Sequence, residues 1–208
     1  MCKVVDGNTH GGSNLKIPLQ YQRTEYDCGP TAFLNAVSYL FPRNEIPPDI
    51  LRGVMMYTLD SYNNKGEAYK DGTSQIAMSF LSGWLNRYAK AVKFPAACVF
   101  LEKEQVEIGG NGKIIDAIRT GGAAVLRLYY GGAHYVTLTG VSGNAIEMFD
   151  PYFRKKPFVK NGIKLIENKP YSYNRLVDFS YLDRTDKGIY SLGEVESRAA
   201  VLMFNSNT

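Results

Sequence analysis

Apolar residues recur along this chain with two different periods, and the change from one to the other divides it. In the first half they fall three and four apart. Phe33, Leu34, Val37 and Leu40 form one such stripe, with Pro30 suited to a first helical turn and Pro42 to a stop. A second short helix is predicted through Pro47 and Pro48. A third is predicted from the capping Ser74 along Ile76, Ala77, Phe80, Leu81, Trp84, Leu85 and Tyr88. A strand around Ala97 to Phe100 and a short helix over Lys113 to Arg119, stopped by Gly121 and Gly122, follow.

Beyond Gly122 the pattern becomes that of strands. "AAVLRLYY", "HYVTLTGV" and "AIEMFD" succeed one another closely, and "AAVLMFN" comes near the end. Early helices and a late antiparallel sheet predict an α+β domain spanning residues 15–208, preceded by an arm over residues 1–14. "LKIPLQYQ" alternates like an edge strand carrying Pro18, and Tyr171 to Leu182 reads as one more short helix.

Composition narrows the function classes. The 208 residues carry a net charge of +4, and no Lys/Arg run is interleaved with aromatics. The short "FRKKPF" cluster at 153–158 reads as a solvated turn, so no nucleic-acid partner is expected. No stretch approaches the roughly 18 apolar residues of a membrane span. The first residues lack an apolar leader core, and Cys2, Cys28 and Cys98 are too few for a disulfide framework. A reducing cytoplasm is the expected compartment. Two histidines make no zinc set, and neither a phosphate loop nor a dinucleotide glycine pattern occurs, so no metal or cofactor is expected.

The candidate chemistry starts at Cys28, which by itself reads equally as a small buried residue. At a helix start, however, unpaired N–H groups and the positive dipole end favour a thiolate. Gly29 leaves room for close approach of a substrate carbonyl, and the Cys28 N–H can face an oxyanion. His10 lies in the Gly-rich arm, which leaves His134 as the candidate base, with Gly132 giving space beside its ring. Asp150 completes the set if the hairpin between them has an odd loop, with its turn at Ser142-Gly143-Asn144. A two-residue loop would put His134 and Asp150 on opposite faces. Gln20 and Gln22 share one strand face, and either can supply a second oxyanion donor. Tyr129, Tyr130 and Tyr152 flank His134 and Asp150, as groove walls or as packed strand-end residues. Cys98 reads as core.

"QRTEYDCGPTA", "GGAHYVTLTG" and "FDPY" together resemble the C39 peptidases, the bacteriocin-processing branch of the papain-like cysteine proteases, and their C39-like relatives. The resemblance runs from Gln22 to about Tyr152 and implies a papain-like fold, with the nucleophile opening a central helix packed on a sheet that carries the His and Asp. It implies Gln22 as oxyanion donor, Cys28 as nucleophile, His134 as general base and acid, and Asp150 as the orienter. The implied activity is thiol-dependent hydrolysis of a peptide or related amide, with a peptide or protein as substrate. An acyl- or peptidyl-transferase, or a non-catalytic peptide-binding module, are the alternatives on the same fold. The specificity for double-glycine leaders is not carried over, and the last fifty-odd residues match no motif.

Overall fold

The computed structural model describes residues 15–109 and 112–207. The expected amino-terminal arm, with Cys2 and His10, lies outside the described residues.

Local sequence accounts for the helices. In α1 (Cys28–Leu40) Pro30 occupies the first turn, where its missing N–H costs no helical bond, and Pro42 follows the last turn. Helix α2 (Pro48–Tyr57) opens on a proline for the same reason. Helix α3 (Gln75–Val92) is capped by Ser74, whose Oγ accepts the Ala77 N–H at 3.1 Å, and it ends on left-handed Lys93. Helix α4 (Lys113–Arg119) is stopped at Gly121, with φ of +88°.

Seven strands form one antiparallel sheet: β1 (Ala96–Glu102), β2 (Ala123–Tyr129), β3 (Ala133–Ser142), β4 (Ala145–Phe149), β5 (Ile163–Leu165), β6 (Arg175–Asp178) and β7 (Ala199–Asn205). Their spatial order is β1-β7-β2-β3-β4-β6-β5, so the last strand in the chain sits inside the sheet, between the first two. This order explains why β2 reads as an almost unbroken apolar run, because both of its faces are covered. Ala123 and Val125 pack with Ala32, Phe33 and Val37 of α1, while Ala124, Leu126 and Leu128 pack with Ile114 and Ile118 of α4. Each such buried aliphatic side chain contributes about 1.5–3 kcal/mol by leaving water. The expected α+β domain with its antiparallel sheet is present. No helix among the described residues is long and apolar enough to cross a membrane.

Two segments differ from the sequence expectation. Residues 15–22 are extended but pair with no strand: Pro18 has no N–H, and the neighbouring bonds go singly to Pro170 O and Pro151 O. Over 171–182 there is no α-helix. The chain forms β6 between β4 and β5, then one 3-10 turn at Phe179–Tyr181. A four-residue strand leaves too short a pattern to read. Its register comes from long-range pairing such as Ile146 with Val177.

Ser74→Ala removes the α3 cap and is expected to destabilise the fold by about 1 kcal/mol, read as a lower urea midpoint at unchanged m-value.

Candidate active site

Cys28 is the first residue of α1, held there by the loop before it. The Asp27 carboxylate does not cap the helix. It turns back to accept the Arg23 N–H at 3.1 Å, and the Thr24 N–H and Thr24 hydroxyl at 2.8 Å each. Gly29 does not face substrate space as expected. A Cβ there would lie 2.4 Å from Thr73 Oγ1, so the glycine lets the helix start pass under Thr73.

His134 is the second residue of β3, just beyond the tight β2–β3 connection at Tyr130-Gly131-Gly132. Asp150 follows the last residue of β4. The loop joining these two strands is not the odd one expected. Ser142 pairs with Ala145, which leaves only Gly143 and Asn144 in the turn. The extra residue sits instead in the strand. The ladder runs Thr137 with Phe149 and Leu138 with Met148, then resumes at Gly140 with Glu147, so Thr139 is a β-bulge. That single inserted residue restores the parity that a two-residue turn would have broken. It brings Asp150 to the His134 face one diagonal step away.

The bulge and its neighbour also set the helix against the sheet. Thr137 Oγ1 donates to Ala32 O at 2.9 Å, and the Tyr39 hydroxyl donates to Thr139 O at 2.9 Å. These two bonds lay α1 along β3, with Cys28 at the His134 end.

The result is a line of three side chains. His134 Nε2 is 2.7 Å from Asp150 Oδ1, leaving Nδ1 for the Cys28 sulfur, which lies against the ring. Burial opposes a charge on the ring, but Asp150 and then Cys28 outweigh it and raise the imidazole to about 10. Asp150 is fully buried. Burial pushes its carboxyl up, and His134, Arg175 and the Tyr190 hydroxyl together hold it below its usual value. Asp150 Oδ1 also accepts the Tyr152 N–H at 2.8 Å, and Oδ2 accepts the Tyr190 hydroxyl at 2.8 Å. Asn174 clamps the Asp150 main chain in both directions at 2.8 Å.

A cleft of about 460 Å³ opens beside this line, walled by Gln22, Cys28, Tyr130, Gly132, His134 and Tyr152 among others. Tyr130 leans on His134 and on Tyr152, at centroid distances of 5.7 and 5.4 Å. Gly132 has nothing within 4 Å of where a Cβ would stand. Gln22 borders the cleft, while Gln20 borders a separate cavity. The Gln22 carboxamide nitrogen gives one hydrogen to Thr24 O at 2.8 Å and keeps its second. Glu25, Tyr26, Asp71 and Gly72 also line the cleft and carried no signal in the sequence, because they come from two irregular loops. Asn174, Arg175 and Tyr190 were missed for a related reason: the first two reach the site through the pairing of β6 with β4, and Tyr190 through a loop bonded to Tyr129. Among the described residues no His, Cys, Asp and Glu group of three or more converges as a metal set.

No protein-family model matches the chain, and no curated protein matches it either.

The raised imidazole and the lowered carboxyl have opposite signs in their effect on stability. The His134 contribution is complete below about pH 6.5 and disappears as pH rises through about 10, while that of Asp150 is lost as pH falls below about 4. Nitrogen NMR of the ring is expected to show it doubly protonated at pH 8, and Asp150→Asn to make it neutral there.

Proposed function

We propose that the protein is a thiol hydrolase of the C39-like, papain-like type that cleaves a peptide or related amide. The observation that carries this reading is the Cys28–His134–Asp150 line, its buried ion pair closed at one end and its sulfur bordering an open cleft at the other. The motif resemblance and the helix-on-sheet arrangement support the same reading, and a peptide-binding module would have no need for the charged pair.

In this mechanism the Cys28 thiolate attacks the substrate carbonyl carbon. The oxygen gains the electron pair and is met by the Cys28 N–H and the remaining Gln22 amide hydrogen. Imidazolium His134 gives its proton to the leaving amine, and the C–N bond breaks to leave a thioester. His134 then takes a proton from water, hydroxide adds to the thioester, and the carboxylic product departs as the thiolate reforms. Asp150 keeps the ring oriented and charged without itself exchanging a proton. Because the walls carry Glu25 and Asp71 and no Lys or Arg, segments with acidic side chains beside the cleaved bond are disfavoured.

Cys28→Ala and His134→Ala are each expected to lower cleavage of a diverse fluorogenic peptide library by about 10³-fold or more. Unchanged turnover in Cys28→Ala overturns the proposal, and products formed with an added amine separate transfer from hydrolysis. Iodoacetamide provides a check that needs no substrate. Cys28 should react rapidly at neutral pH and Cys98 hardly at all, since burial pushes the Cys98 thiol up to about 12.

A further inference from the structure

Behind Asp150, on the side away from the cleft, lies a buried polar cluster that the cleavage steps do not use. Tyr190 is wholly buried, and its hydroxyl donates to Asp150 Oδ2 at 2.8 Å. Arg175 is buried to 1% exposure, and its Nε donates to the Tyr190 hydroxyl at 3.3 Å. Its other nitrogens go to main-chain oxygens, Nη1 to Asn174 at 2.9 Å and Nη2 to Tyr152 at 3.1 Å. No carboxylate forms an ion pair with this guanidinium among the described residues. A buried cation without a direct counter-ion is costly, and the Asp150 charge reached through the Tyr190 hydroxyl is what offsets it.

The backbone at Tyr190 carries strain to hold this position. Its φ is +58°, a left-handed conformation that costs a non-glycine residue of order 1 kcal/mol or more. The surrounding contacts enforce it: Tyr190 N–H donates to Tyr129 O at 2.7 Å, and Ser191 O accepts the Tyr129 N–H at 2.9 Å. The ring is pinned between Tyr130 and Phe158 at 5.5 and 5.9 Å. Strain, burial and a charged hydrogen bond therefore converge on one hydroxyl.

We propose that Tyr190, held by Arg175, is a positioning residue that fixes the Asp150 carboxylate in its ionised form and aims its other oxygen at His134. The proposal rests on the cysteine-hydrolase reading for its consequence in turnover, but not for its consequence in the His134 ring. It gives the segment after Asp150, which bears no recognisable motif, a role in the site. Four charged or titratable groups meet here: Cys28 from α1, His134 from β3, Asp150 from the end of β4 and Arg175 from β6. Tyr190 adds its phenol from the 3-10 turn to β7 connection, and the Tyr130 and Tyr152 rings flank the pair. Among the described residues the Tyr190 hydroxyl is the one side chain that bonds both the carboxylate and the guanidinium, while the Tyr152 main chain bridges them through its N–H and carbonyl.

The test is Tyr190→Phe, which keeps the ring and removes the hydroxyl, read by nitrogen NMR titration of His134 and by the pH profile of Cys28 alkylation. The expected result is a titration midpoint for His134 lower by about one pH unit, with the high-pH limb of the Cys28 alkylation profile moving down by the same amount. If the variant loses thermal stability while the His134 midpoint stays where it was, the hydroxyl is merely structural and the proposal is overturned. Should Tyr190→Phe not fold, Arg175→Lys decides alone: it keeps the charge, loses the Nε bond to Tyr190, and must lower the midpoint in the same direction. An unmoved midpoint in Arg175→Lys overturns the proposal equally. Slow alkylation of Cys28 in the unmodified protein, with the midpoint still falling in Tyr190→Phe, refutes the hydrolase reading and leaves this one standing.

Discussion

The buried pair between His134 and Asp150 is the constraint around which the rest of the molecule is organised. Moving two such charges out of water costs several kcal/mol each, and attraction alone offsets that only when the remaining lone pairs and protons are also satisfied. Here they are. One Asp150 oxygen takes the imidazole and the Tyr152 N–H, the other takes Tyr190, and Asn174 takes the Asp150 main chain. Removing His134, Tyr190 or the Tyr152 N–H leaves the buried carboxylate short of a bond, so elements far apart in sequence meet at one carboxylate.

The sheet order follows the same requirement. Strands β3 and β4 carry the pair, β2 and β7 form the buried platform on one side, and β6 brings Asn174 and Arg175 in from the other. The chain after Asp150 thus adds three strands to the same sheet: β5 at its edge, β6 closing the back of the site and β7 filling its middle. Among the described residues, α1 is the helix whose end meets the pair. Hydrogen bonds from Thr137 and to Thr139 add a fixed register to its apolar packing on the sheet. The bulge at Thr139 serves both purposes, correcting the parity of the hairpin and presenting the carbonyl that Tyr39 holds.

Cys98 and Cys28 stand in different surroundings although both are buried. Cys98 sits in β1 with its thiol enclosed in the core, where ionisation is suppressed. Cys28 is as buried by area, yet it stands at a helix start beside an imidazole that burial alone would have kept neutral. What differs is the partner, not the exposure.

Much of this was legible in the residues. Proline and serine punctuation located the helices, because caps and stops act within one turn. Short apolar runs bounded by glycine and turn residues located β2, β3, β4 and β7, because a strand covered on both faces reads as continuously apolar. Position in the chain picked out Cys28, His134 and Asp150 as candidates, while only the family resemblance preferred Gln22 to Gln20. Tertiary structure alone decided what depends on distant pairing. It moved the extra hairpin residue from the turn into a bulge, turned 171–182 from a supposed helix into β6, and put Gly29 under Thr73 rather than in the cleft. It also carried Tyr190 and Arg175 to the back of Asp150. The sequence by itself determined which groups are candidates for chemistry and which local elements hold them, because those choices are set by residue type and by neighbours within a turn or a strand. Register, face and the burial of charge belong to the tertiary structure, because each is settled by contacts across tens of residues that no local pattern records.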